Sequence, residues 1–248
     1  MLDVYQVDVV NLSIMAVRED DYKTVRALGL FCEMSDDSFA RLLRGSFLQR
    51  FPARMQLVSE GDPADFLYVA VEGRVELLAS AKNRDSTITI VEPVATFILA
   101  AAVKDAVYLM SARTLEPCRV LMIPSANVRD AFDKDPSFAR AMAIELATRY
   151  REIVKALKNQ KLRTGVERLA NYLLTQGVAE GSNGMLDLRM EKSTLASLLG
   201  MTPENLSRAF ATLRAYGVEV DGSRVKLTKL KDLTTLAKPA PLIDDPTA

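Results

Sequence analysis

The sequence predicts an α+β chain in three successive parts: a β-rich unit behind short N-terminal helices, one long helix, and a winged helix-turn-helix. Three observations predict it. From about residue 46 to 124, short β-type runs alternate with turn clusters. From Pro136 to about Lys161, apolar residues return every three or four positions. Further on, "EKSTLASLLGMTPENLSRAFATLRAYG" reads as helix, short turn, helix, and "VEVDGSRVKLT" follows it as a hairpin around Asp221-Gly222.

The elements follow in order. In "DDYKTVRALGLF", Tyr22, Val25 and Leu28 share a helical face, and in "SDDSFARLLRG" Ser35 caps a second helix carrying Phe39, Leu42 and Leu43. "EGDPAD" at 60–65 is a turn cluster. "FLYVAVEGRVELLAS" gives two strands joined near Gly73, which supplies the backbone angle the turn needs. "STITIV", "VATFILAAAV", "DAVYLMSARTL" and "CRVLMIP" read as further β runs at the spacing of a small sandwich or barrel. "SANVRDAF" is a short helix before "DKDPS".

The long helix opens at Pro136, and its stripe is Phe138, Met142, Leu146, Tyr150, Ile153 and Leu157, flanked by Ala139, Ala143 and Ala147. A single stripe on so long a helix suggests pairing with a second copy; the alternative is that the stripe packs on its own domain. "RTGVERLANYLLTQ" is another amphipathic helix, "GVAEGSNG" a loop and "MLDLRM" a short strand. The expected divisions are 1–135, 136–161, 162–237 and a mobile Pro-rich tail, 238–248.

Composition narrows the chemistry. The 248 residues contain no histidine, which rules out Ser-His-Asp or Cys-His catalysis and histidine-ligated zinc or haem. Two cysteines, Cys32 and Cys118, cannot hold a four-cysteine cluster and are expected as free thiols. No apolar run reaches the ~18 residues needed to span a bilayer. The first twenty residues lack a basic start and a cleavage site, so no secretion signal and a cytoplasmic location are expected. Recognition is thus expected rather than catalysis. Residues 1–150 hold 17 Lys/Arg against 21 Asp/Glu, whereas residues 151–248 hold 15 against 11, so the half with the helix-turn-helix is the basic one.

The second helix of that motif carries a specific pattern. Thr202 is a cap and Pro203 suits the first helical position. Glu204, Ser207 and Arg208 then fall at i, i+3 and i+4 on one face. An arginine there can donate twice to guanine, a glutamate can accept from cytosine, and a serine can serve several bases. Thr202, Asn205 and the helix N-terminus suit phosphate, and Arg224 and Lys226 on the hairpin wing are expected DNA contacts. Taken alone, Glu204 and Arg208 could equally be a surface ion pair.

These segments together resemble the Crp/Fnr family of bacterial transcription regulators over about residues 20–235. "EGDPADFLYVAVEGRVEL" is similar to the family's sensor signature, "VERLANYLL" to the helix after its dimerisation helix, and "LASLLGMTPENLSRAFATL" to its DNA-binding element. The resemblance implies a cyclic-nucleotide-binding-like β-roll (a jelly roll), a dimerisation helix and a winged helix-turn-helix. It implies a homodimer joined through residues 136–161 that binds double-stranded DNA, with RNA polymerase as a partner, as for an activator. Glu204, Ser207 and Arg208 match the Glu-x-x-Ser-Arg pattern of the Fnr branch, which implies TTGAT-like half-sites in an inverted repeat. Pro203 stands where cAMP-responsive members carry an arginine.

The sensor departs further. Cyclic-nucleotide binders hold the phosphate with Gly-Glu and Arg-Ser-Ala segments; here these read "FILAAAV", without the acid, and "LMSAR", with Met110 before Ser111. Positions that meet the base fall at Ile153 and Val154. The usual cAMP mode is therefore not expected, and the cofactor is unknown. An apolar pocket for another small effector is expected around Phe97, Leu99, Met110, Ser111, Tyr150, Ile153 and Val154, with a carboxylate met by Arg74 or Arg113; the alternative is a pocket filled by its own side chains. "FILAAAV…YLMSARTL" also resembles members that govern ferrous iron transport. A rival reading is a ligand sensor whose winged domain meets protein rather than DNA.

Overall fold

The computed structural model describes residues 19–81, 84–179 and 184–245. The N-terminal segment read for a signal, the centre of the 177–184 loop and the last three residues lie outside them. Residues 19–85 and 89–146 form one compact unit, and residues 147–245 belong to a second.

The first unit opens with α1 (Glu19–Arg26) and α2 (Asp36–Leu42), the latter capped by Ser35, whose hydroxyl accepts from the Ser38 N–H. Eight strands follow: β1 (Phe47–Phe51), β2 (Gln56–Val58), β3 (Phe66–Glu72), β4 (Val75–Ala81), β5 (Arg84–Val91) and β6 (Ala95–Phe97), then, after α3 (Leu99–Lys104), β7 (Ser111–Thr114) and β8 (Cys118–Pro124). They make two four-stranded sheets, ordered β1-β8-β3-β6 and β2-β7-β4-β5. All the pairings with a defined register are antiparallel, as expected of a roll built from hairpins and crossovers. Gly73, at φ +75°, turns β3 into β4; a Cβ there would lie 2.5 Å from the Pro117 carbonyl oxygen.

One correction concerns "VATFILAAAV". Only Ala95–Phe97 is strand; the chain then turns into α3. The run Ala100-Ala101-Ala102 has high helix propensity, which the apolar content of the stretch concealed.

After α4 (Ser125–Lys134) comes α5 (Pro136–Leu162), 27 residues and about 40 Å long. Asp135 starts it, its carboxylate accepting from the N–H groups of Ser137 and Phe138 at 3.0 and 3.1 Å. The predicted stripe divides. Phe138 and Met142 are fully buried in the first unit with Phe31, Phe39 and Leu121, and Leu146 packs at the edge of that core. Tyr150, Ile153 and Leu157, in the second unit, are 68%, 64% and 55% exposed.

The second unit continues with α6 (Gly165–Ala179), β9 (Met185–Asp187), α7 (Lys192–Leu198) and α8 (Pro203–Leu213). A 3-10 turn, β10 (Val218–Asp221), β11 (Arg224–Leu227), α9 (Leu230–Ala237) and α10 (Pro241–Asp244) complete it. Its sheet runs β10-β11-β9. Its core joins Leu169 and Leu173 of α6, Leu195 and Ala196 of α7, and Leu206, Phe210 and Leu213 of α8. The tail expected to be mobile from 238 is instead helical over Pro241–Asp244, and Asp244 pairs with Arg163. Among the described residues, no helix is long and apolar enough to cross a membrane.

Candidate nucleic-acid interface

The start of α8 has the local structure its residue types favour. The Thr202 hydroxyl accepts from the Asn205 N–H at 3.3 Å, and Pro203 occupies the first turn. Leu206, Ala209, Phe210 and Leu213 are buried at helical spacing. The opposite face holds Pro203, Glu204, Asn205, Ser207 and Arg208, all exposed. The Ser207 hydroxyl donates to the Pro203 carbonyl at 3.0 Å, which leaves its oxygen lone pairs outward.

Among the described residues no ion pair joins Glu204 to Arg208. The Glu204 carboxyl is held below the usual carboxylate range, first by a hydrogen bond from the Thr202 hydroxyl, then by a backbone N–H, with a smaller effect of the Arg208 charge. It therefore stands ionised at neutral pH, an acceptor beside a donor. That pair is the chemistry needed to read a base pair's edge.

The turn before α8 is tightly specified. Gly200 sits at φ +62°, and a Cβ there would come within 2.6 Å of the Gln160 side chain of α5. Arg168, on α6, donates to the Leu199 carbonyl at 2.8 Å and to the Arg163 carbonyl at 2.7 Å. One guanidinium thus ties the α5–α6 junction to the turn that aims α8. The same junction carries a capping box: the Thr164 N–H donates to the Glu167 carboxylate at 2.8 Å, and the Glu167 N–H donates back to the Thr164 hydroxyl at 3.3 Å. The Thr164-x-x-Glu167 spacing is the local signature of such a box. Nothing local in sequence marked Arg163 or Arg168.

Arg224 and Lys226 are exposed on the wing, as expected. In register, however, Arg224 lies opposite both Asp221 and Asp187, and Lys226 opposite Glu219. Cross-strand neighbours share a face, so the wing is close to charge-balanced and α8 carries the sharper chemistry.

The residues expected around an effector do not present an anion site. Ile98 begins α3 at φ +62°, a region unfavourable to a β-branched residue and easy for glycine. Leu99 points into the apolar core and Met110 packs on the roll interior. Phe97 stacks on Tyr68 with ring centroids 5.3 Å apart. The Ser111 hydroxyl accepts from the Glu60 N–H at 2.9 Å. Arg74 forks onto Glu116 at 2.9 and 3.0 Å, and Arg113 meets Glu76 at 2.8 Å, so each arginine already faces a carboxylate of the chain. Tyr150, Ile153 and Val154 are exposed on α5 in the second unit. The residues present do not fit a cyclic nucleotide held through its phosphate. Both thiols are free; burial pushes the Cys118 thiol up to about 11, which makes it a poor nucleophile.

Comparison with known proteins agrees with this architecture. Residues 48–135 match the cyclic nucleotide-binding domain family, and residues 167–238 match the Crp-like helix-turn-helix domain. A CRP-like cAMP-activated global transcriptional regulator of Mycobacterium tuberculosis is 23% identical over 216 residues, 85% of this chain and 96% of that protein. The regulatory protein YeiL of Escherichia coli O157:H7 is 29% identical over 194 residues, 77% of this chain and 85% of that protein. The solved structure of FixK2 from Bradyrhizobium japonicum superposes with a TM-score of 0.68 at 21% identity, over 79% of this chain and 98% of that one, a likeness of fold. With a roll of the cyclic nucleotide-binding type, a long helix and a Crp-like helix-turn-helix in this order, the chain belongs to the Crp/Fnr family of transcription regulators.

Proposed function

We propose that the protein is a homodimer that reads an inverted repeat of TTGAT-like half-sites with α8 and answers to a small effector other than cAMP. The observation that carries the DNA reading is the division of α8: its apolar face is buried while Glu204, Ser207 and Arg208 stand together on the exposed one. A helix so presented suits the major groove. Thr202, Asn205 and the helix N-terminus would take phosphate and set the register, with Arg224 and Lys226 as weaker contributors. The exposed Tyr150, Ile153, Val154 and Leu157 supply the face for a second copy, and a two-fold pair would address half-sites about 34 Å apart. This reading places the protein in the cytoplasm with RNA polymerase as a further partner.

An apolar effector in the roll must displace Phe97 or Met110 from the interior, so effector binding and repacking of the roll are one event. The discriminating experiment measures binding to a TTGAT inverted repeat and to a scrambled duplex over a range of salt. Preference for the repeat, with a salt slope of about 0.9 per phosphate neutralised, supports the reading. Equal affinity for the two duplexes at every salt concentration assigns the winged unit to protein contact instead.

A further inference from the structure

The segment after α9 has a fixed place on the α5–α6 junction. Arg163 is the first residue past α5, and its side chain is only 7% exposed. Its guanidinium forks onto Asp244, with one arm at 2.7 Å, and also donates to the Asn159 side chain at 3.1 Å. Asp244 in turn accepts from the Ala240 N–H at 2.6 Å, closing α10 on itself. The Lys155 ammonium donates to the Asp245 carbonyl at 2.7 Å. Upstream, the buried Asn171 of α6 donates to the Ala237 carbonyl at 2.7 Å, which anchors the end of α9.

Burial alone would raise the Asp244 carboxyl, but hydrogen bonds from Arg163 and the Ala240 N–H bring it below its ordinary range. The pair is therefore ionised at neutral pH. Both partners lie outside the matched families: Arg163 falls between residues 135 and 167, and Asp244 beyond 238. At about 100° per residue, Lys155, Asn159 and Arg163 lie roughly 110° to 170° around α5 from the Tyr150, Ile153, Leu157 stripe. The segment thus leaves the apolar face clear.

We infer that Arg163 and Asp244 are positioning residues for DNA reading: residues 239–245 strap the α5–α6 junction and fix how far apart a dimer holds its two recognition helices. The backbone of Arg163 is already tied through Arg168 to the turn that aims α8. The strap fixes the side chain of the same residue. Junction angle and helix aim are therefore held at one point. The inference rests on the DNA reading above.

The test uses the full chain with Asp244→Ala, Asp244→Asn and the exchanged pair Arg163→Asp with Asp244→Arg. Hydrogen exchange of residues 160–168, without DNA, reports the strap itself. It is expected to quicken about tenfold in the single variants and to slow again in the exchanged pair. Binding to inverted repeats lengthened or shortened by one and two base pairs reports positioning. The natural protein should prefer one spacing, and the single variants should lose about tenfold of that preference while binding an isolated half-site as before. Unchanged exchange overturns the strap. Quickened exchange with an intact spacing preference overturns the positioning role. If the natural protein does not prefer the repeat over scrambled DNA, the DNA reading fails, and the exchange result still decides the strap. Circular dichroism matching the natural protein is required of each variant; if Asp244→Ala unfolds, Asp244→Asn carries the comparison.

Discussion

Arg208 and Gly200 differ in what a single substitution in the candidate interface would change. Arg208 is an exposed donor beside an ionised acceptor, so Arg208→Ala should remove about 1–3 kcal/mol of discrimination against the wrong base while the fold is kept. Parallel titrations of matched and mismatched duplexes check this. Gly200→Ala should instead cost about 1–2 kcal/mol of stability, read by denaturant unfolding, because a Cβ at φ +62° is strained, whereas the end of the Gln160 side chain can move aside. Arg208 was legible in the sequence, since Thr202, Pro203 and the i, i+3, i+4 spacing are local signals. The Arg163–Asp244 pair was not. Its partners lie 81 positions apart, and only the packed unit brings them together. The effector arginines illustrate the same limit: Arg74 and Arg113 were visible as charges, but Glu116 and Glu76 as their partners were not.

At the scale of elements, α5 is one helix with two environments. Its apolar spacing was legible from end to end, but spacing cannot say which half already has a partner in the chain. The roll supplies one for Phe138 and Met142, and Ile153 and Leu157 remain exposed. Ile153→Glu with Leu157→Glu should therefore convert a dimer to a monomer in sedimentation equilibrium with the far-ultraviolet spectrum unchanged. Asp135 begins the same helix. Burial would raise its carboxyl, but hydrogen bonds from the Ser137 hydroxyl and the Phe138 N–H hold it below its ordinary range. Glu167 is likewise lowered, first by the Thr164 N–H. The unfolded chain binds protons at these groups more readily than the folded one. The stability they supply is thus full above about pH 4.5 and is lost as pH falls through the lower folded values, which unfolding midpoints between pH 7 and 3 will show. The misread element was α3. A continuous apolar run and an alanine run favour different structures, and the alanine run prevailed from Leu99 on.

For the molecule as a whole, the winged unit and the roll differ in where their polar groups stand. The winged unit presents Glu204, Ser207 and Arg208 on the exposed face of α8, with the Glu204 carboxyl held ionised. In the roll, the segments expected to meet an effector carry Leu99 and Met110, and both pack into apolar cores. Calorimetry with cAMP should accordingly give no saturable heat at micromolar concentration; a micromolar Kd would show that the roll repacks around the ligand. The architecture was readable from the sequence because each part has its own pattern: short β-type runs between turn clusters in the roll, a spacing near 3.6 in the helices, and a turn pair in the wing. The filled interior of the roll was not, since Phe97 and Met110 suit a pocket wall and a packed core equally.

The most direct measurement replaces each base pair of the half-site in turn, symmetrically in both halves, and compares the natural protein with Arg208→Ala. The preference should flatten at one base pair per half-site and persist at the others. A uniform loss of affinity at every position, or no change at all, would contradict reading by α8.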